Sequence, residues 1–186
     1  VALISVDRAG QNTIIVCPGS NHLAELKDAS IISQKDILLC QGETDLENLL
    51  SAVQKAKSQE ASVILNPAPY FDMPDELIQK TDILIFNEVE YSQFSKNDLQ
   101  KDPEEIKSSL LKTTYKGSII VTFGSKGVLV KSHEAIDFIA APEVEAIDTV
   151  GAGDCFCGNL SARLSFGDSL LESAGYAVKA ASISVT

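Results

Sequence analysis

The 186-residue chain is 45% hydrophobic and 22% charged, the composition of a globular domain long enough to bury a full core. Its net charge of −11 argues against non-specific binding to nucleic acid or anionic membrane, which need a basic surface, and no apolar run approaches the roughly 18–20 residues that span a bilayer. Four cysteines (Cys17, Cys40, Cys155 and Cys157) without a CxxC pair, beside only His22 and His133, argue against a zinc site or a disulfide framework and for reduced thiols in the cytoplasm.

Val1 falls inside an alternating run, with no initiator Met and no signal-peptide pattern, so the chain reads as a piece of a longer one. "VALISV", "DRAG" and "QNTIIVC" read as two strands and a Gly-containing turn, a hairpin over residues 1–20. After "PGSN", "HLAELKD" reads as a short helix with Asn21 as its cap. "DILLC" (36–40) is a buried strand. Thr44 and Glu47 then have capping-box spacing ahead of an amphipathic helix that runs to about Gln59.

The alternation continues with strand "SVILN" (62–66), loop "PAPYFDMP", helix "DELIQK", strand "DILIFN" (82–87) and helix "EVEYSQF". Pro103 suits the first turn of a helix through "PEEIKSSLLKTT". "SIIVTF" (118–123), the turn "GSKG", "VLVKS" and "AIDFIA" give three more strands, close enough together to pair antiparallel. A helix from Asp154 carries Phe156, Leu160 and Leu164 on one face, and "DSLLESAGYAVKAASISV" forms the last helix. Apolar runs alternating with helices predict an α/β domain over residues 21–186, built on a mainly parallel sheet. Ligands of such sheets bind beyond the carboxyl ends of the strands. The polar clusters "QGET", "NPAP", "NEVE" and "TFGSKG" all follow strands.

The stretch "DTVGAGDCFCG" (148–158) concentrates the chemistry. It lacks the third glycine of a dinucleotide fingerprint, since Phe156 stands there, and the Lys-Ser/Thr of a P-loop, since Asn159-Leu160 follow Gly158. What remains is "GAGD" opening a helix. Free amides and the macrodipole favour an anion there, and glycines let a phosphoryl group approach. Asp154 then has two readings, a helix cap or a carboxylate that accepts a proton from a hydroxyl nucleophile in phosphoryl transfer.

"DTVGAGDCFCGNL" closely resembles the C-terminal signature of the ribokinase-like carbohydrate kinases. "VALISVDRAGQNTIIVCPGSN", "LLCQGE", "ILNPAP", "NEVEYSQF", "VTFGSKGVLV" and "KAASISVT" resemble further segments of that family, in its order and over nearly the whole chain. The resemblance implies a three-layer, Rossmann-like α/β/α domain, with residues 1–20 as part of a lid that covers the sugar and can mediate a homodimer. It implies an ATP-dependent kinase for a small sugar, with Mg2+ and an activating monovalent cation such as K+. By position, Asp154 matches the catalytic base and Gly151, Ala152 and Gly153 match the anion hole. Asn87 and Glu90 match the NxxE motif that arranges magnesium and phosphate. Thr122, Gly124 and Gly127 match the nucleotide-binding turn. Glu43 matches a sugar contact, and Asp148 with the Val150 carbonyl matches part of the cation site.

Plainer readings stand beside these. Asn87 and Glu90 are also a helix start, Thr122–Gly127 a hairpin turn, and Glu43 an acid favoured by a helix dipole. The chain departs from the family pattern by lacking its early Asp and Gly-Gly sugar-binding motif and the segment after "SVT". Cys155 stands where Thr or Ser usually follows the catalytic Asp, and Val178 where a polar adenine contact is frequent. Ribose is the leading substrate. Other sugars, sugar acids or nucleosides, and a non-catalytic nucleotide-binding module, are the alternatives.

Overall fold

The computed structural model describes residues 2–6, 12–99, 102–133 and 135–186. Its main sheet has six strands in chain order: β3 (Ile37–Gln41), β4 (Ser62–Asn66), β5 (Ile83–Asn87), β6 (Ser118–Thr122), β7 (Gly127–Lys131) and β8 (Ile136–Ala140). The first four run parallel, and β7 and β8 are added antiparallel, as the close spacing of 118–140 predicts. Continuous apolar runs suit strands buried on both faces, as β4 to β7 are, whereas β3, expected to be buried, is half-buried at the edge of the sheet.

Alternation along these strands sorts the core into two halves. Val63, Leu65, Leu84, Phe86, Ile119 and Val121 pack on one face with α1 (Leu46–Ser58), α2 (Asp75–Lys80), α3 (Glu88–Ser95) and α4 (Pro103–Leu110). Ile64, Ile85, Ile120, Val128 and Val130 turn the other way, onto α5 (Ala152–Ser165) and α6 (Leu170–Ser184). The result is three layers, helix on sheet on helix, the fold class the sequence predicts. Each fully buried aliphatic side chain contributes about 1.5–3 kcal/mol, so the sheet is anchored from both sides.

The bounds of β4 and α2 coincide with the predicted segments. Two local expectations are corrected. "HLAELKD" is not a helix: a 3-10 turn covers Gly19–Leu23 with Pro18, not Asn21, at its cap, and a second 3-10 turn covers Ala29–Ile31. The N-cap of α1 is Asp45 rather than Thr44, its carboxylate accepting from the amides of Glu47 (2.9 Å) and Asn48 (3.2 Å). Asp45→Ala is therefore expected to cost about 1 kcal/mol, seen as a fall in Tm of about 2–4 °C by calorimetry.

The first strands, β1 (Ala2–Val6) and β2 (Asn12–Val16), pair antiparallel from Ala2↔Val16 to Val6↔Asn12, in a sheet separate from the other six. The turn predicted at 7–10 lies outside the described residues. Leu3, Ile15 and Val16 are exposed on this pair.

Candidate active site

Parallel pairing brings the predicted polar residues to one edge of the sheet. Gln41 and Asn66 are the last paired residues of β3 and β4, and Asn87 and Thr122 the last of β5 and β6. The Asn66 amide donates to the Ile85 carbonyl (2.9 Å), tying two of these ends together.

Helix α5 begins beside that edge. Gly151 caps it in the left-handed region (φ +77°), where an added Cβ would meet no atom, so backbone conformation is what asks for glycine. The Ala152 amide donates to the Thr149 carbonyl (3.3 Å), and the first bond inside the helix runs from the Cys155 amide to the Gly151 carbonyl (2.8 Å). The amides of Gly153 and Asp154 thus have no intrahelical acceptor, and the helix dipole adds positive potential there. Open space at Gly153 leaves that end approachable.

Asp154, in the first turn of α5, is exposed, and its Oδ1 accepts a 2.6 Å hydrogen bond from Gln41 Nε2. Both line a cleft of about 720 Å³ together with Glu43, Asn21, Asn48 and Cys157. The cleft therefore joins Asp154 to Glu43, two residues predicted for one site from opposite ends of the chain. Its wall at 21–26 is held to α1 by Asn48 Nδ2 donating to the His22 carbonyl (3.3 Å) and Lys55 Nζ to the Leu26 carbonyl. A second cleft of about 700 Å³, lined by α3, α4 and the loops that follow them, contains none of the predicted site residues.

Asn87 and Glu90 form a capping box on α3. The Asn87 side chain accepts from the amides of Val89 and Glu90, and Glu90 Oε2 accepts from the Asn87 amide (2.8 Å). The helix-start reading of this pair therefore holds, yet Glu90 is buried rather than a surface charge. Desolvation raises its carboxyl above the ordinary range, the Asn87 amide opposes that shift, and Glu88 adds to it.

Thr122 Oγ1 approaches the Phe86 carbonyl (3.4 Å), and Gly124 and Gly127 bracket the 3-10 turn Gly124–Lys126 between β6 and β7. These residues share the sheet edge with Asn87 but do not line the Asp154 cleft. Asp148 Oδ1 accepts from the Val150 amide (2.9 Å), and the amides of Ile147 and Asp148 donate to the Val185 carbonyl (2.7 and 3.2 Å). This loop is exposed and docked on the end of α6.

The oxygens suit hard cations. Asp148 and the Val150 carbonyl offer oxygen donors of the type a monovalent cation takes, on one short loop. Among the described residues no group of three or more His, Cys, Asp or Glu could cage a metal. Glu90 has one carboxylate oxygen outside its cap, which fits a Mg2+ held mainly by phosphate oxygens and water.

Cys157 lies beneath the site. Burial pushes its thiol up to about 12, with the negative charges of Asp154 and Glu90 adding to the shift, so both carboxylates act on one buried group. Cys40, on the cleft wall, is pushed up to about 11 by burial. At about pH 8 Cys157 is therefore held as the neutral thiol. Iodoacetamide followed by peptide mass spectrometry is expected to label exposed Cys17 and leave Cys157 unmodified until the protein is unfolded.

The predicted glycines and carboxylates occupy the sheet edge and the α5 N-terminus. Gln41 and Asn48 were not singled out by sequence. Their position in and after "QGET" marked the neighbourhood, but only strand register and helix docking turn them into the cleft.

A family model described as pfkB family carbohydrate kinase matches residues 1–186. The chain is 34% identical over 191 residues to a ribokinase of Haemophilus influenzae, covering 100% of this chain and 62% of that protein. Its fold matches the crystal structure of a ribokinase from Thermotoga maritima with a TM-score of 0.82 at 36% identity, covering 100% of this chain and 62% of that one. It matches an Arabidopsis thaliana ribokinase complexed with ribose and ATP at a TM-score of 0.82 and 28% identity, over 99% and 62% of the two chains. The chain thus spans about three fifths of the length of these relatives. With the sheet edge, the α5 N-terminus and the family match over residues 1–186 in agreement, the chain belongs to the pfkB family of carbohydrate kinases.

Proposed function

We propose that the complete protein is a cytoplasmic sugar kinase that transfers the γ-phosphoryl group of MgATP to ribose. The observation that carries this reading is Asp154 at the N-terminus of α5, opening into a cleft shared with Glu43. The Arabidopsis relative, solved with ribose and ATP, supports the choice of substrates. Asp154 accepts the proton of the sugar hydroxyl, whose oxygen bonds to the γ-phosphorus as the bond to the bridging oxygen of ADP breaks. The amides that open α5 face the charge on the transferring group, Gly153 foremost because the Ala152 amide already donates to the Thr149 carbonyl, so catalysis is mainly positioning and electrostatics.

Glu43 and Asn48 bind sugar hydroxyls. Thr122, Gly124 and Gly127 carry the nucleotide, and Asn87 and Glu90 keep their sheet edge rigid through the capping box. Glu90 would help to hold a Mg2+ that offsets phosphate charge, and Asp148 with the Val150 carbonyl would hold a monovalent cation in the loop ahead of Gly151. Residues 1–20 act as a lid and a dimer contact, a role supported by the separate β1–β2 pair and its exposed Leu3, Ile15 and Val16. The test is ADP release from MgATP by the complete protein with ribose, fructose or adenosine. Ribose-dependent turnover is expected, whereas turnover with fructose or adenosine alone replaces ribose, and none with any acceptor removes the kinase reading.

A further inference from the structure

We propose that Gln41 is a positioning residue for the base, its side-chain amide holding Asp154 so that the second carboxylate oxygen faces the cleft. This rests on the reading of Asp154 as base. A carboxylate only accepts hydrogen bonds, so the group that meets Asp154 Oδ1 at 2.6 Å is necessarily the Nε2 donor of Gln41. The bond spans 113 positions of sequence and joins β3 to α5.

Gln41 is built to hold still. It is the last paired residue of β3, opposite Asn66, and it shares the α5 side of the sheet with Leu39, two residues earlier. The following Gly42 fixes the chain's exit: a Cβ there would meet the Pro69 carbonyl oxygen at 2.7 Å and the Phe71 ring at 3.1 Å. Its amide donates to the Ala68 carbonyl (3.2 Å). Asp154, by contrast, is an exposed side chain on the first helical turn, where its own rotamers are little restrained by packing. Gln41 supplies the restraint. Occupying Oδ1 leaves the lone pairs of Oδ2 for the hydroxyl proton, and Gln41 itself need not touch the sugar.

The test compares Gln41→Leu, Gln41→Glu and Asp154→Asn in the complete protein, measuring kcat, KM for ATP and Tm. Gln41→Leu is expected to lower kcat by about 10- to 100-fold while KM for ATP stays within about twofold, the pattern of a misaligned reacting group. Gln41→Glu tests the donor directly. At about pH 8 its carboxylate opposes Asp154, and towards about pH 5.5 it takes up a proton and becomes a donor. Its kcat relative to the parent protein is therefore expected to rise several-fold as pH falls. Glu25 and Glu43, which line the same cleft, are present in both proteins and cancel from that ratio.

A Gln41→Leu kcat within about twofold of the parent, with Asp154→Asn inactive, overturns the positioning role and leaves the base intact. A flat Gln41→Glu ratio does the same, and it decides the matter if Gln41→Leu fails to fold. Parental turnover by Asp154→Asn overturns the base, and this inference with it.

Discussion

Replacing Asp154 with Asn is expected to lower ribose-dependent kcat by about a thousandfold, within the range that a positioned general base contributes. That loss corresponds to about 4 kcal/mol of transition-state stabilisation. The substitution is nearly isosteric. Asn Oδ1 can still accept from Gln41 Nε2, so the link between β3 and α5 survives. The amide that replaces the other oxygen cannot take a proton. KM for ATP and Tm are therefore expected to stay close to parental values, because the residue is exposed and packs against little. The reading predicts a kcat effect without a binding effect. A loss smaller than about tenfold leaves Asp154 as a first-turn acid of α5; the helix cap that the sequence also allows there is ruled out, since Gly151 holds that place.

Elements with clear punctuation were legible. β4 and α2 are bounded by residues that punctuate structure, Pro67 directly after the strand and Pro74 before the helix, and both segments are where the pattern puts them. "HLAELKD" contains good helix formers but fails as a helix. It is short, follows Pro18, and buries little, with Leu23 80% exposed and only Leu26 partly covered. An isolated turn of helix has too few hydrogen bonds to offset its nucleation cost. The bonds that hold this segment come from Asn48 and Lys55 on α1, which no local pattern announces. Thr44 and Asp45 are both good caps in adjacent positions, so composition alone could not choose between them.

The site divides along the same line. Gly151, Gly153 and Asp154 lie within one turn of helix, and Asn87 and Glu90 are an i, i+3 pair, so both groups are readable as short motifs. The burial of Glu90 is not, since it depends on how α3 lies against the sheet. Gln41 is the clearest omission. A glutamine after an apolar run is an ordinary strand end, and its meaning arises only when α5 docks beside β3 and brings Asp154 to its amide. Glu43 reached the same cleft by resemblance, two residues away, without revealing the contact that Gln41 makes.

The largest expected stability effect falls on the turn predicted to carry nucleotide. Gly127 has φ +121° and ψ −147°, a region essentially closed to residues with a Cβ. It also starts β7 opposite Ala140, and an added Cβ would lie 2.0 Å from the Ile139 carbonyl oxygen and 2.9 Å from Ala140 Cα. Both are backbone atoms of β8, so no rotamer change relieves the overlap. The conformation alone costs about 1–3 kcal/mol and overpacking about 1–3 kcal/mol more. Gly127→Val is thus expected to lose about 3 kcal/mol or more, which lowers Tm by about 6–12 °C. Gly124→Ala is the control. Gly124 is also left-handed (φ +53°) but has nothing within 4 Å of a Cβ, so it should lose only about 1 kcal/mol. If the two variants melt together, backbone conformation alone explains both glycines. If Gly127→Val melts far below Gly124→Ala, the approach of β8 fixes Gly127, and its presence in the turn is then required by the sheet whether or not a nucleotide binds there.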